Sequence, residues 1–142
     1  MPESFRVTNA LLEKLRADAA LMALMPDGAW FAEAPPGATR FVIVSAIASP
    51  ITPMFGGPAY VDKLYGLDAR ALSTMNGDVQ AAASRLNALV DGGDLVVDDW
   101  GVMVMRVVED FELVVEVDDV DASIRWNRCG GQVQVMVAPV AT

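Results

Sequence analysis

The densest chemistry in the sequence is EDFELVVEVDDVD, residues 109–121, which carries seven carboxylates and no basic side chain. So many carboxylates raise the question of calcium. An EF-hand loop, however, sets its ligands at alternate positions around a mid-loop glycine and closes on a glutamate, and this run has neither the glycine nor the spacing. The run reads instead as the solvated face of a strand, or as a surface that repels or meets a partner, formed by Glu109, Asp110, Glu112, Glu116, Asp118, Asp119 and Asp121. Acid–base work by neighbours such as Asp98 and Asp99, or Asp118 and Asp119, fails on geometry, because successive strand residues point to opposite faces.

Composition removes other chemistries. With no histidine in 142 residues, the usual zinc constellations and the Ser-His-Asp and Cys-His arrangements are out of reach. The single Cys129 has no partner for an internal disulfide; beside Arg128 at an expected hairpin tip its thiol would be modestly activated, but no base or resolving thiol accompanies it. Gly-Gly pairs at 56–57, 92–93 and 130–131 lack the flanking residues of phosphate loops and read as turns. The expectation is a protein that is not an enzyme and holds no metal or cofactor.

A net charge of −9 with ten scattered basic residues disfavours adhesion to nucleic acid or to an anionic membrane. Apolar runs such as residues 41–44 fall far short of the roughly 20 residues a spanning helix needs. No basic region followed by an apolar core opens the chain, so synthesis and first use in a reducing cytoplasm are expected. The length suits one domain, residues 1–142, able to bury about two-thirds of its unfolded surface.

Residues 8–25 carry Leu12, Leu15, Ala19 and Met22 at helical spacing, with Thr8 or Asn9 as N-cap and Pro26-Asp27-Gly28 as a stop. Trp30 and Phe31 follow among prolines and glycines, on a short extended segment with their rings turned inward. FVIVSAIAS, 41–49, has the β-branched, unalternating character of a central strand. Residues 60–72 alternate, with Val61, Tyr65, Leu67, Ala69 and Ala71 opposed to Asp62, Asp68 and Arg70 on a wetter face. A second helix runs from Asp78, its cap, to Gly92, its stop. Residues 94–101 predict a short strand and turn, and 102–108 a strand apolar on both faces. From 111 to 118, Phe111, Leu113, Val115 and Val117 alternate with acids, with a bulge or break near 108–110. The chain closes on a predicted hairpin, in which Ile124 and Trp126 face Val133, Val135 and Val137 across a Cys129-Gly130-Gly131 turn.

The order α-β-β-α followed by three or four strands predicts an α+β fold, a mostly antiparallel sheet with two principal helices packed on one face. The strands at 41–49 and 60–72 form a hairpin whose connection contains ITPMFGGP, 51–58. About ten residues is long for such a connection, and long loops in compact domains tend to be functional. Ile51, Pro53, Met54 and Phe55 make it apolar, either folded back on the core or presented to a partner.

The segments LRADAALMALMPDGAWFAEAPPGATRFVIVS, YGLDARALSTMNGDVQAAASRLNALVDGG and IRWNRCGGQVQVMV resemble the tail terminator, or tail completion, proteins of long-tailed bacteriophages and gene transfer agents, over roughly residues 10–138. The resemblance implies a structural virion protein, assembled in the host cytoplasm. It would form a homo-oligomeric, hexameric ring at the head-proximal end of the tail tube, ending tube growth and joining the head-tail connector or stopper. Its partners would be further copies of itself, the tail tube protein and the connector, with DNA passing through the ring without specific binding and no membrane involved. Ile51, Pro53, Met54 and Phe55 would then contact a partner, while Asp62, Asp68 and the acids of 109–121 would line a lumen or surface. Rival readings are another neck component, a head-tail stopper or adaptor, and a small-molecule-binding α+β domain.

Overall fold

A computed structural model describes residues 2–48, 51–54, 57–73, 78–97 and 100–139. Asp18 divides the first helical stretch in two, giving α1 (Pro2–Arg16) and α2 (Ala19–Leu24). Its carboxylate accepts a hydrogen bond from the Leu21 N–H at 2.9 Å, the geometry of an N-cap that starts a new helix. One helix from 8 to 25 was the expectation; leucine periodicity continues through the break, so only the capping contact reveals it. Nor do Thr8 and Asn9 cap α1, which already runs from Pro2. Thr8 instead shares a 2.8 Å hydrogen bond with the buried Tyr65 hydroxyl.

The strands are β1 (Ala29–Phe31), β2 (Arg40–Ala48), β3 (Ile51–Met54), β4 (Gly57–Leu72), β5 (Trp100–Val117) and β6 (Arg125–Pro139), with α3 (Val79–Val90) between β4 and β5. They form one sheet in the order β1-β2-β4-β6-β5, while β3 pairs only with β4. All pairings are antiparallel except β1 with β2. The α+β class, with α1 and α3 as principal helices, is as expected. So is α3, where Asp78 accepts from the Ala81 N–H at 2.9 Å and Gly92 takes φ +72°. Among the described residues of 94–101, a bridge joins Val97 to Trp100, where β5 begins, in place of the expected short strand.

The end of the chain differs from the sequence expectation. Two long strands follow α3, and β6 runs straight through Cys129-Gly130-Gly131 without turning. These glycines serve close approach: a Cβ on Gly130 would lie 1.9 Å from the Leu67 carbonyl oxygen, and one on Gly131 2.3 Å from that of Glu109. Glycine suits a strand where neighbouring backbones crowd this closely. Register shifts in β5 at Val107/Glu109 and Phe111/Val114 flank the same point, and bulges of this kind sharpen twist. The first of them is the expected bulge near 108. Because β6 is one strand, Trp126 lies on the face opposite Val133, Val135 and Val137 rather than across a turn from them.

One core forms on the helix-covered face. Val42 and Val44 of β2, Tyr65, Leu67, Ala69 and Ala71 of β4, and Val133, Val135 and Val137 of β6 meet Val7, Leu11 and Leu15 of α1, Leu21 of α2 and Leu86 and Val90 of α3. β2 lies inside the sheet as expected, with residues 41–44 buried on both faces. Trp30 is half-buried with the Arg16 guanidinium 5.2 Å from its ring centre, but Phe31 is exposed, because three residues of edge strand have nothing beyond them to pack against.

Gly130→Ala or Gly131→Ala will cost about 3 kcal/mol or more in denaturant unfolding, while Val108→Ala on the surface stays within about 0.5 kcal/mol. A second expectation concerns Asp18, which also receives Arg85 Nε at 2.8 Å. The Arg85 hydrogen bond holds the Asp18 pKa at about 2, below its ordinary 3.8. A depressed carboxylate stabilises fully above its unfolded pKa, so this contribution is present above pH 4 and lost as pH falls toward 2. Thermal melts of Arg85→Ala will therefore converge on those of the parent across that window, while Asp18→Ala costs about 1 kcal/mol at neutral pH.

Candidate interaction surface

β5 ends the sheet, and its two halves differ. Near its start the outer side is covered: Gly92 N–H donates to the Met105 carbonyl at 2.7 Å and Val107 N–H to Asp91 Oδ1 at 3.1 Å. Those bonds show which backbone groups point away from β6. β4 and β6 pair without a register shift, so alternation along β6 carries the pattern forward. The β5 residues opposite Gly131, Asn127 and Arg125 are Asp110, Val115 and Val117, and theirs are the outward groups of the far half. Among the described residues nothing pairs with them.

The same half carries exposed apolar side chains. Leu113, Val114, Val115 and Val117 are 44%, 45%, 59% and 47% exposed. The sequence has Phe111, Leu113, Val115 and Val117 alternating with acids; the register shift at Phe111/Val114 puts Phe111 on the face opposite Val115 and Val117, and of the four only Phe111 is half-buried. α3 packs near residues 110–113, leaving an open groove of about 540 Å³ lined by Gln80, Ser84, Asn87, Phe111 and Leu113. The exposure was not legible in the sequence because period-two alternation shows neither the bulge that resets the faces nor whether anything covers them.

The acids separate into three groups. Asp118 and Asp121 build the turn before β6: Asp118 accepts from Trp126 Nε1 at 2.9 Å and from the Val120 and Asp121 N–H groups, and Asp121 from the Ser123 hydroxyl and N–H. The Trp126 bond leads in holding Asp118 below the ordinary carboxylate range, and the Ser123 hydroxyl does the same for Asp121. Glu116 pairs with Arg128. Glu109, Asp110, Glu112 and Asp119 are exposed without ion pairs among the described residues.

Asp62 and Asp68 lie on the sheet face away from the helices. Asp62 accepts from Gln134 Nε2 at 3.1 Å. Asp68, expected on a wetter face, is only 8% exposed, and its Oδ2 accepts from Arg70 Nε at 2.7 Å and Arg128 Nε at 2.9 Å. Two guanidiniums neutralise it, and the Phe41–Trp126 edge-to-face pair shares this face. It does not stand as an open lumen charge.

The expected loop at 51–58 is in part regular. Met54 pairs with Gly57 and Ile51 with Val61, so β3 and the start of β4 make an arm. The β6 pairings begin at Val61, and the four residues of β4 before it extend the arm about 13 Å further. Pro53 sits at an irregularity of this ladder, and Phe55 lies outside the described residues. Cys129, expected at a hairpin tip, is buried within β6; burial, then Asp68 and Asp110, push its thiol pKa up. That is the reverse of the activation by Arg128 considered above.

No protein-family model matches the sequence, and no curated protein does. Among solved structures, one chain aligns over 96% of this chain and 97% of its own length, with a TM-score of 0.67 at 18% identity. It is part of the virion of a native gene transfer agent particle. This chain has the fold of that virion component. A second solved chain aligns over 98% of this chain and 96% of its own length, with a TM-score of 0.55 at 11% identity.

Asp68→Asn will cost about 2 kcal/mol in equilibrium unfolding, because two partly buried guanidiniums lose their counter-charge. Glu112→Gln will change stability by less than about 0.5 kcal/mol.

Proposed function

We propose that the chain is a non-enzymatic structural protein of a phage or gene transfer agent particle, and specifically its tail terminator. The observation that carries this reading is the end-to-end likeness in fold to a gene transfer agent virion chain. Copies of the chain form a ring, hexameric by the family resemblance, at the head-proximal end of the tail tube. The ring stops tube polymerisation and joins the tail to the head connector, after assembly in the host cytoplasm. Ile51, Pro53 and Met54 of the β3–β4 arm, with Phe55 next to them in sequence, supply an apolar contact to a neighbouring copy, the tube or the connector. Asp62, Glu109, Asp110, Glu112 and Asp119 keep the ring surface negative, so that DNA passes without sticking. Asp68, Glu116, Asp118 and Asp121 have structural duties instead.

Electron microscopy of particles made without this gene tests the role. Filled heads beside detached tubes of uncontrolled length are expected, and normal tailed particles would refute it; tubes of normal length lacking heads would indicate a stopper or adaptor. In complementation, Phe55→Asp will leave the melting temperature of the isolated protein unchanged and abolish its incorporation into particles. A large loss of stability would place Phe55 in the core.

A further inference from the structure

From the open outer side of β5 between Asp110 and Val117, we infer a docking site for an extended segment of another protein that carries both apolar and basic residues, which adds to the sheet as an antiparallel strand. Three observations meet there. The outward backbone groups of Asp110, Val115 and Val117 have no partner among the described residues, whereas the nearer half of the same edge is closed by Asp91 and Gly92. Val115 and Val117 lie exposed beside those groups, ready to pack against alternate side chains of an added strand. Glu109, Asp110 and Glu112 stand without ion pairs among the described residues at the α3 end of the same stretch, so the incoming segment gains from Lys or Arg brought near that end.

Charge also selects between occupants. Two copies joined β5 to β5 over this stretch would set Asp110 and Glu112 against Val117 and Val115 of the other copy, covering unpaired carboxylates with apolar side chains, which is destabilising. Another uncovered edge among the described residues, 45–48 with β3, contains no charged residue and would leave them uncompensated. A basic segment answers both objections. The open stretch spans about 25 Å, the length of a strand of about eight residues. The inference does not depend on the ring or on a place in the tail.

The probe is an acetylated nine-residue peptide of alternating lysine and valine, with an alternating glutamate and valine peptide as counterpart. Titration is followed by amide hydrogen exchange of the full chain. The basic peptide is expected to bind, with affinity falling as salt rises, and to slow exchange at Asp110, Val115 and Val117. Val115→Pro removes an outward N–H without touching the β6 ladder, and will weaken binding about tenfold at unchanged melting temperature. The double variant Glu109→Lys and Glu112→Lys will reverse the preference toward the acidic peptide, and decides the matter alone should the proline variant fail to fold. Equal binding of both peptides, or slowed exchange elsewhere, overturns the inference. Self-association of the free protein that Val115→Pro disperses also overturns it, making the occupant a second copy.

Discussion

The fold depends on letting β6 pass between β4 and β5 with no side chain at Gly130 and Gly131. Both neighbours are hydrogen-bonded to β6 along most of its length, so a Cβ at either glycine meets backbone that cannot move aside without breaking a ladder. The crowding reflects the sharp twist that the two β5 register shifts introduce on either side. Because the strand continues, β5 does too: its far half is carried along β6 toward Arg125, past the reach of α3. The exposed valines and the open edge follow from a constraint inside the sheet, beside α3.

Acidity is distributed by task. Asp18 and Asp78 cap helices, and Asp27 accepts from the Thr39 and Arg40 N–H groups at 2.8 and 2.9 Å, pinning the connection into β2. Asp118 and Asp121 shape the final turn, while Asp68 and Glu116 are neutralised by arginine. A carboxylate bound to backbone N–H groups spends its lone pairs locally. The uncommitted charge of the 109–121 run is therefore concentrated on Glu109, Asp110, Glu112 and Asp119, around the open half of β5.

How much was legible in the sequence follows from which interactions are local. α3 was legible because its cap, apolar stripe and terminating glycine all lie within one short window, and the buried run of β2 and the bulge near 108 were legible from side-chain pattern alone. The division between α1 and α2 was not, since Asp18 is held both by its own helix and by Arg85, 67 residues away. Gly130 and Gly131 misled for a related reason. A glycine pair signals either a turn or a close approach, and the deciding atoms, the carbonyls of Leu67 and Glu109, are remote in sequence. The acidic run was visible as composition, but its separation into turn builders, an ion pair and free charges needed the register of β5 against β6.

An exposed edge rich in valine is a liability for any protein, because it offers a template to every other unpaired strand. Natural sheets blunt such edges with charge, and here the carboxylates serve that purpose selectively. They oppose pairing between identical edges, in which Asp110 and Glu112 would be covered by valines of the other copy, while leaving the valines and the backbone groups of Val115 and Val117 accessible. Charge of one sign thus makes the edge discriminating: it resists its own copies and strands without charge gain little from it, whereas a strand of the opposite sign is attracted and, once paired, neutralises the carboxylates that kept the edge open. Lysine or threonine in place of the valines would close the edge at less risk of aggregation, so valines on the same edge as free carboxylates fit a use for the open edge better than protection alone.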